Sequence, residues 1–129
     1  MNRIVNPADI APPAANYAHA IVSEHTVKWL HTSGVVPTRP DGTVPAAIET
    51  QAEVVWTNLL AMLREAGMET QDVVSITTYV VIDELRQLPK VMAARDAALG
   101  GRKVASTLVT VLALARPEWK MEIAMVAAR

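Results

Sequence analysis

The chain has no cysteine, which excludes disulfides and thiolate chemistry. Aromatic residues make up only 4% of its 129 positions, and Lys and Arg number 12 against 13 Asp and Glu, a net charge of −1. Nucleic-acid binders carry a basic stripe or aromatic stacking platforms. Neither is present, so no nucleic-acid partner is expected. Every apolar run is interrupted by charge before it could span a bilayer, so no membrane association is expected. The opening MNRIVNPADIAPPAANYA lacks the apolar centre of a secretory signal, which makes the cytoplasm the default location. His19, His25 and His31 are spread over one region without a neighbouring ligand cluster, so neither a metal nor another cofactor is expected.

What the sequence has in excess is apolar residues, 51% of the chain. The length fits one domain, residues 1–129. Residues 1–16 are rich in Pro and Ala and read as an irregular N-terminal arm. Ala18 to Ser23 and Thr26 to Thr32 alternate as strands do, with Glu24-His25 as a tight hairpin between them. Asp41-Gly42 marks a turn in the loop that follows.

The clearest element runs from Ala46 to Ala66. Ala52, Val55, Trp56, Leu59, Leu63 and Ala66 recur at helical spacing. Gly67 stands where a left-handed cap belongs, and Met68 supplies its apolar contact. Val73 to Ile82 is rich in β-branched residues and reads as a buried strand. A second helix spans Leu88 to Leu99, with Pro89 in its first turn. Ala105 to Leu114 and Lys120 to Ala127 complete the order ββ-α-β-α-ββ, an α+β fold with a mixed sheet and two helices on one face.

Two helices cover one face of such a sheet. Yet Val73–Ile82 and Ala105–Leu114 are apolar on both faces. Leaving the second face wet would forgo roughly 1.5–3 kcal/mol per large side chain, and a contiguous apolar patch marks an interaction surface. A homo-oligomer packed sheet against sheet is expected. The alternative is a monomer whose N-terminal arm covers the sheet.

Several pieces then fall in a recognisable order. Tyr17-Ala18-His19-Ala20 precedes Ser33-Gly34, Pro37 and Asp41-Gly42. Gln51 and Asn58 sit seven apart on the first helix. Val74, Thr77 and Asp83 follow, and the chain closes on Arg116-Pro117-Glu118-Trp119-Lys120-Met121-Glu122-Ile123 and Ala127. From Tyr17 to Ala128 the chain resembles the YjgF/RidA family of small imine and enamine deaminases. The resemblance implies a chorismate-mutase-like fold, a homotrimer, and small-molecule pockets between subunits. It implies a catalytic role for Glu122, matching the carboxylate that positions or activates water, and a ligand-lining role for Tyr17. Ser33 and Gly34 would present backbone groups to the ligand. Buried carboxylates exchange protons nearer neutrality than exposed ones, and Met121 and Ile123 make burial of Glu122 plausible.

The sequence also departs from that family. Relatives carry an arginine that grips the substrate carboxylate, a task suited to a bidentate guanidinium. Here that position falls on Ser106, or on Thr107 if the register slips by one; Arg102 is the nearest cation. Met92 and Val35 replace Asn and Gln. Three functions stay open: a deaminase-like hydrolase of imines or enamines that does not favour 2-iminopropionate, a non-catalytic metabolite-binding protein, and, least favoured, an endoribonuclease or translation inhibitor. Glu122 is either catalytic or a structural carboxylate, and Ser106 and Thr107 are either ligand contacts or ordinary strand hydroxyls.

Overall fold

The first helix forms where the apolar spacing puts it. In a computed structural model describing residues 1–129, α1 spans Ile48–Glu65 and buries Ile48, Ala52, Val55, Trp56, Leu59 and Leu63 along one stripe. Residues three and four apart share a helical face. Gly67 adopts φ +65°. Its N–H donates to the Arg64 carbonyl, and the Met68 N–H donates to that of Leu63 at 2.8 Å. This is a Schellman-type end, with Met68 buried against the core. The second helix, α2 (Leu88–Ala98), carries Pro89 in its first turn and buries Val91 and Arg95.

Six strands accompany them: β1 (Asn2–Val5), β2 (Ala20–Ser23), β3 (Trp29–His31), β4 (Val73–Val81), β5 (Ala105–Val111) and β6 (Met121–Ala128). Four form a sheet in the order β3-β6-β4-β5, and β1 pairs with β2 in a separate ribbon. The pairs β3–β6 and β4–β6 are antiparallel and β4–β5 is parallel, so the sheet is mixed and the fold is α+β. Side chains alternate between faces along a strand. Met121, Ile123, Met125 and Ala127 of β6, with Ile76 and Val80 of β4, therefore join the helices in one core. Glu122, Ala124 and Val126, with Thr77 and Tyr79, occupy the opposite face and are half-buried.

Three sequence expectations need correction. The N-terminal arm is not irregular throughout: Asn2–Val5 pairs antiparallel with Ala20–Ser23. The Asn2 side chain also donates to the carbonyls of Ala128 at 2.9 Å and Asp72 at 3.4 Å. These partners are distant in sequence, so no local turn signal announces the strand. Second, β2 and β3 do not form a hairpin. The partner of β2 is β1, while β3 pairs with β6, Trp29 opposite Ala128 and His31 opposite Val126. The Glu24-His25 turn is real, with His25 at φ +56°, but it links two sheets. Third, β5 ends at Val111, and Leu112 beyond it is 89% exposed. The apolar run is longer than the strand it feeds because pairing with β4 stops at Val81.

Candidate functional site

Because Met121 and Ile123 face the helices, Glu122 must face away from them. Its neighbour in space is the turn after β3. There the Val35 N–H donates to the Ile123 carbonyl at 2.8 Å, and the Ile123 N–H donates back at 3.1 Å. Between the pairs His31/Val126 and Val35/Ile123, the first strand holds one residue more than β6. That bulge throws Ser33 and Gly34 outward, and bulges of this kind re-aim groups beside active sites. Thr32 steadies it: its hydroxyl accepts from the Met125 N–H at 2.9 Å and donates to the Ser33 carbonyl at 2.8 Å.

Gly34 has a steric reason to be glycine. A Cβ there would overlap Oε2 of Glu122 and lie 3.0 Å from its Cδ. The carboxylate thus rests in the space of a missing side chain. It is half-buried and takes part in none of the chain's ion pairs. Gly34→Ala is expected to leave the thermal midpoint within a few degrees, since the position is exposed, while displacing Glu122. Any activity or ligand affinity that depends on the carboxylate should fall roughly tenfold or more, in keeping with the sensitivity of reactions to displacements of about 1 Å. Unchanged activity would show that the Gly34 seat does not matter.

The other candidate residues lie at the far edge of the sheet. Ala18 bridges to Ala105, and its N–H donates to the Val104 carbonyl, which places Tyr17 beside the start of β5. The Tyr17 hydroxyl accepts from the Ala14 N–H at 3.3 Å, and its ring stands edge-on to His19 at 6.0 Å. Ser106 is in register with Ile76 and Thr107 with Thr77. Ile76 is in the core, so Ser106 shares the helix-covered face, whereas Thr107 is exposed on the open face. One chain therefore holds Ser33 and Gly34 beyond β3 at one edge, Glu122 beside them on the inner strand β6, and Tyr17 and Thr107 at the other edge. Strands β6 and β4 lie between the two edges, a span of roughly 14 Å at the usual strand spacing, and β4 alone lies between Glu122 and Thr107.

Arg102 is tied to the backbone of the segment that leads into β4. Its Nη1 donates to the carbonyls of Thr70 at 2.8 Å and Val73 at 2.9 Å. Burial lowers its pKa from the ordinary arginine value, and the nearby Asp72 carboxylate opposes that shift. Arg102→Met should cost about 1–2 kcal/mol in urea unfolding, since two partly buried carbonyls lose a charged donor. Ligand selectivity should not change. A loss of selectivity without a loss of stability would reassign Arg102 to the site.

The helix amides serve the scaffold around this region. Asn58 donates to the carbonyls of Val36 and Thr38, holding the loop beyond Gly34. Gln51 donates to those of Pro45 and Glu118 and accepts from the Lys120 N–H. An open groove of about 950 Å³ runs between β3 and α1, with Ser33 and Gly34 on one wall and Asn58 and Met62 on the other. Glu122 is not in its lining, so this groove is beside the carboxylate rather than over it. No three His, Cys, Asp or Glu side chains converge as metal ligands would. His19 instead bonds the Ala11 carbonyl, and His31 stacks on Trp29. No helix is long and apolar enough to cross a membrane.

One residue escapes a reading of the sequence alone. Tyr79 lies directly opposite Glu122 across the β4–β6 pair. The strand order that brings them together is not written in either segment.

A family model described as Endoribonuclease L-PSP matches residues 8–129. No curated protein matches. Among solved structures, the Yersinia pestis protein YyfB, described as a protein of unknown function of the conserved Rid family, is 30% identical. Its TM-score is 0.89, over 99% of this chain and 98% of that one. Escherichia coli TdcF, solved with bound serine, is 22% identical with a TM-score of 0.69, over 98% of each chain. Yeast Mmf1 is 21% identical with a TM-score of 0.70, over 99% of this chain and 98% of that one.

Proposed function

The chain belongs to the Endoribonuclease L-PSP family, which includes the Rid proteins, and from that premise we propose that it hydrolyses a small reactive imine or enamine at a site shared between subunits. The observation that carries the reading is Glu122, a carboxylate on the open sheet face, seated over Gly34 and outside every ion pair of the chain. Such substrates are electrophilic, so a placed water and one proton-transferring carboxylate suffice. Glu122 would take a proton from water as its oxygen bonds to the carbon of C=N. It would return that proton to the imine nitrogen, giving a carbinolamine, and then carry the hydroxyl proton to the same nitrogen as the C–N bond breaks, so that ammonia leaves with both protons of the water and a ketone remains.

The two edge groups support a shared site. Sheets of neighbouring copies packed on their open faces would set the Gly34 edge of one, with Glu122 just inside it, beside the Tyr17 and Thr107 edge of the next, and a homotrimer closes that arrangement. Half-buried Val126 and exposed Trp29 supply apolar surface for that contact, toward the end of the face away from Glu122. Sedimentation velocity should give three chains per particle; a stable monomer would remove the shared site.

The substrate should be uncharged. The open face carries Thr107 at the start of β5, and a hydroxyl in place of a charged donor forfeits about 1.5–3 kcal/mol, roughly ten- to a hundredfold in affinity. With imines generated in situ and trapped chemically, neutral imines should disappear faster in the presence of the protein and 2-iminopropionate should be spared. Rapid, saturable hydrolysis of 2-iminopropionate would refute this preference. If no imine is hydrolysed, the second reading stands, a metabolite-binding protein, which the lost charge also favours. Ribonuclease action is disfavoured by the balance of 12 basic against 13 acidic residues.

A further inference from the structure

We propose that Tyr79 is a specificity-determining residue that works beside Glu122 to select an uncharged carboxamide, a ligand with an N–H donor and a C=O acceptor on neighbouring atoms. This rests on the placement of the ligand site at Glu122 but not on hydrolysis there.

Tyr79 and Glu122 are direct partners across antiparallel strands. Residues so placed project from the same face with Cβ atoms about 4.5–5.5 Å apart. Of the two tyrosines, Tyr17 uses its phenol oxygen within the chain; the Tyr79 hydroxyl has no such bond, and its side chain is half-buried on the open face. An ionised carboxylate only accepts hydrogen bonds, whereas a phenol can donate one. On the far side of Tyr79, in register on β5, is Val109, 39% exposed.

Across the strands, therefore, the open face runs from the Gly34 seat to an acceptor, a donor and a small apolar side chain. A carboxamide laid along this row donates its N–H to Glu122 and accepts from Tyr79 through its carbonyl. The rest of the molecule meets Val109. A carboxylate in the same place has no N–H for Glu122 and sets two negative charges side by side, which disfavours it. Arg102 does not offset this: it is held by the carbonyls of Thr70 and Val73, at the end of β4 away from Tyr79. Tyr79 is thus more than a filler of the sheet: its hydroxyl supplies the donor that makes the row complementary to a neutral ligand.

The test compares two ketones of the same shape, pyruvamide and pyruvate, titrated into the full chain and followed by heteronuclear NMR. The wild type should bind pyruvamide at least tenfold more tightly than pyruvate. Tyr79→Phe should weaken pyruvamide alone and reduce that preference about tenfold. Glu122→Gln should improve pyruvate binding by removing the like charge. Thermal unfolding of both variants should match the wild type. Equal affinity for the two ketones, binding of neither, or a Tyr79→Phe variant with the preference intact would each overturn the proposal. The two assignments can fail separately. A pyruvamide preference without hydrolysis of any imine sinks only the enzymatic reading. Hydrolysis in which Tyr79→Phe affects charged and neutral substrates alike sinks only this one.

Discussion

Glu122→Gln is expected to slow imine hydrolysis by roughly 10²–10⁴-fold, the range that a positioned acid–base group supplies. The substitution keeps the shape of the side chain and removes its capacity to move a proton. Glu122 is half-buried and belongs to no ion pair, so the fold does not depend on its charge. The thermal midpoint should therefore stay within a few degrees. Most of the loss should appear in kcat rather than KM, because the proton transfer occurs in the transition state. Full activity in the Gln variant would remove Glu122 from the mechanism. A collapse in stability would instead mark it as a structural carboxylate.

A second large effect is expected at Gln51, and it falls first on stability. Gln51 is completely buried. Its amide donates to the Pro45 carbonyl at 2.8 Å and the Glu118 carbonyl at 2.9 Å, and its oxygen accepts from the Lys120 N–H at 2.9 Å. Gln51→Ala strands three backbone groups at once. A buried unsatisfied group costs about 1–3 kcal/mol; these three bonds are part-buried, which brings the total to about 3–4 kcal/mol. For a chain of this length that lowers the thermal midpoint on the order of 10 °C, which calorimetry would resolve. Activity in the surviving folded fraction should fall too, since Lys120 is two residues from Glu122 and the amide fixes where β6 begins. A shift under about 1 kcal/mol would mean that water replaces the amide.

The contrast between these two residues shows what could be read in the sequence and what could not. Helix α1 and its ending at Gly67 were legible because they depend on neighbours within a few positions: the apolar spacing, the glycine, and Met68 one residue on. The α+β order and the family followed from such local signals taken in sequence. What the residues could not convey was pairing between distant segments. Asn2–Val5 is a strand only because Ala20–Ser23 lies beside it. The direction of Arg102 is set by carbonyls of Thr70 and Val73, some thirty positions earlier. The sequence resemblance favours Ser106 over Thr107, whereas register with Ile76 and Thr77 puts the two on opposite faces, Thr107 on the open one. Glu122 could be picked out by resemblance, but its seat over Gly34 and its partner Tyr79 are products of the strand order.

That strand order bears on how the chain reaches its folded state. The strand made last, β6, is central, with β3 on one side and β4 on the other. Until residues 121–128 are available, β3 and β4 have no common partner, and the core lacks Met121, Ile123, Met125 and Ala127. Assembly must then wait for a contact between segments some ninety residues apart, such as His31 with Val126. Long-range pairing of this kind slows folding and leaves strand edges open to wrong partners in the interval. During synthesis, then, the helices can form early while the sheet closes in a late step, and the period of greatest exposure to aggregation falls just before β6 is complete.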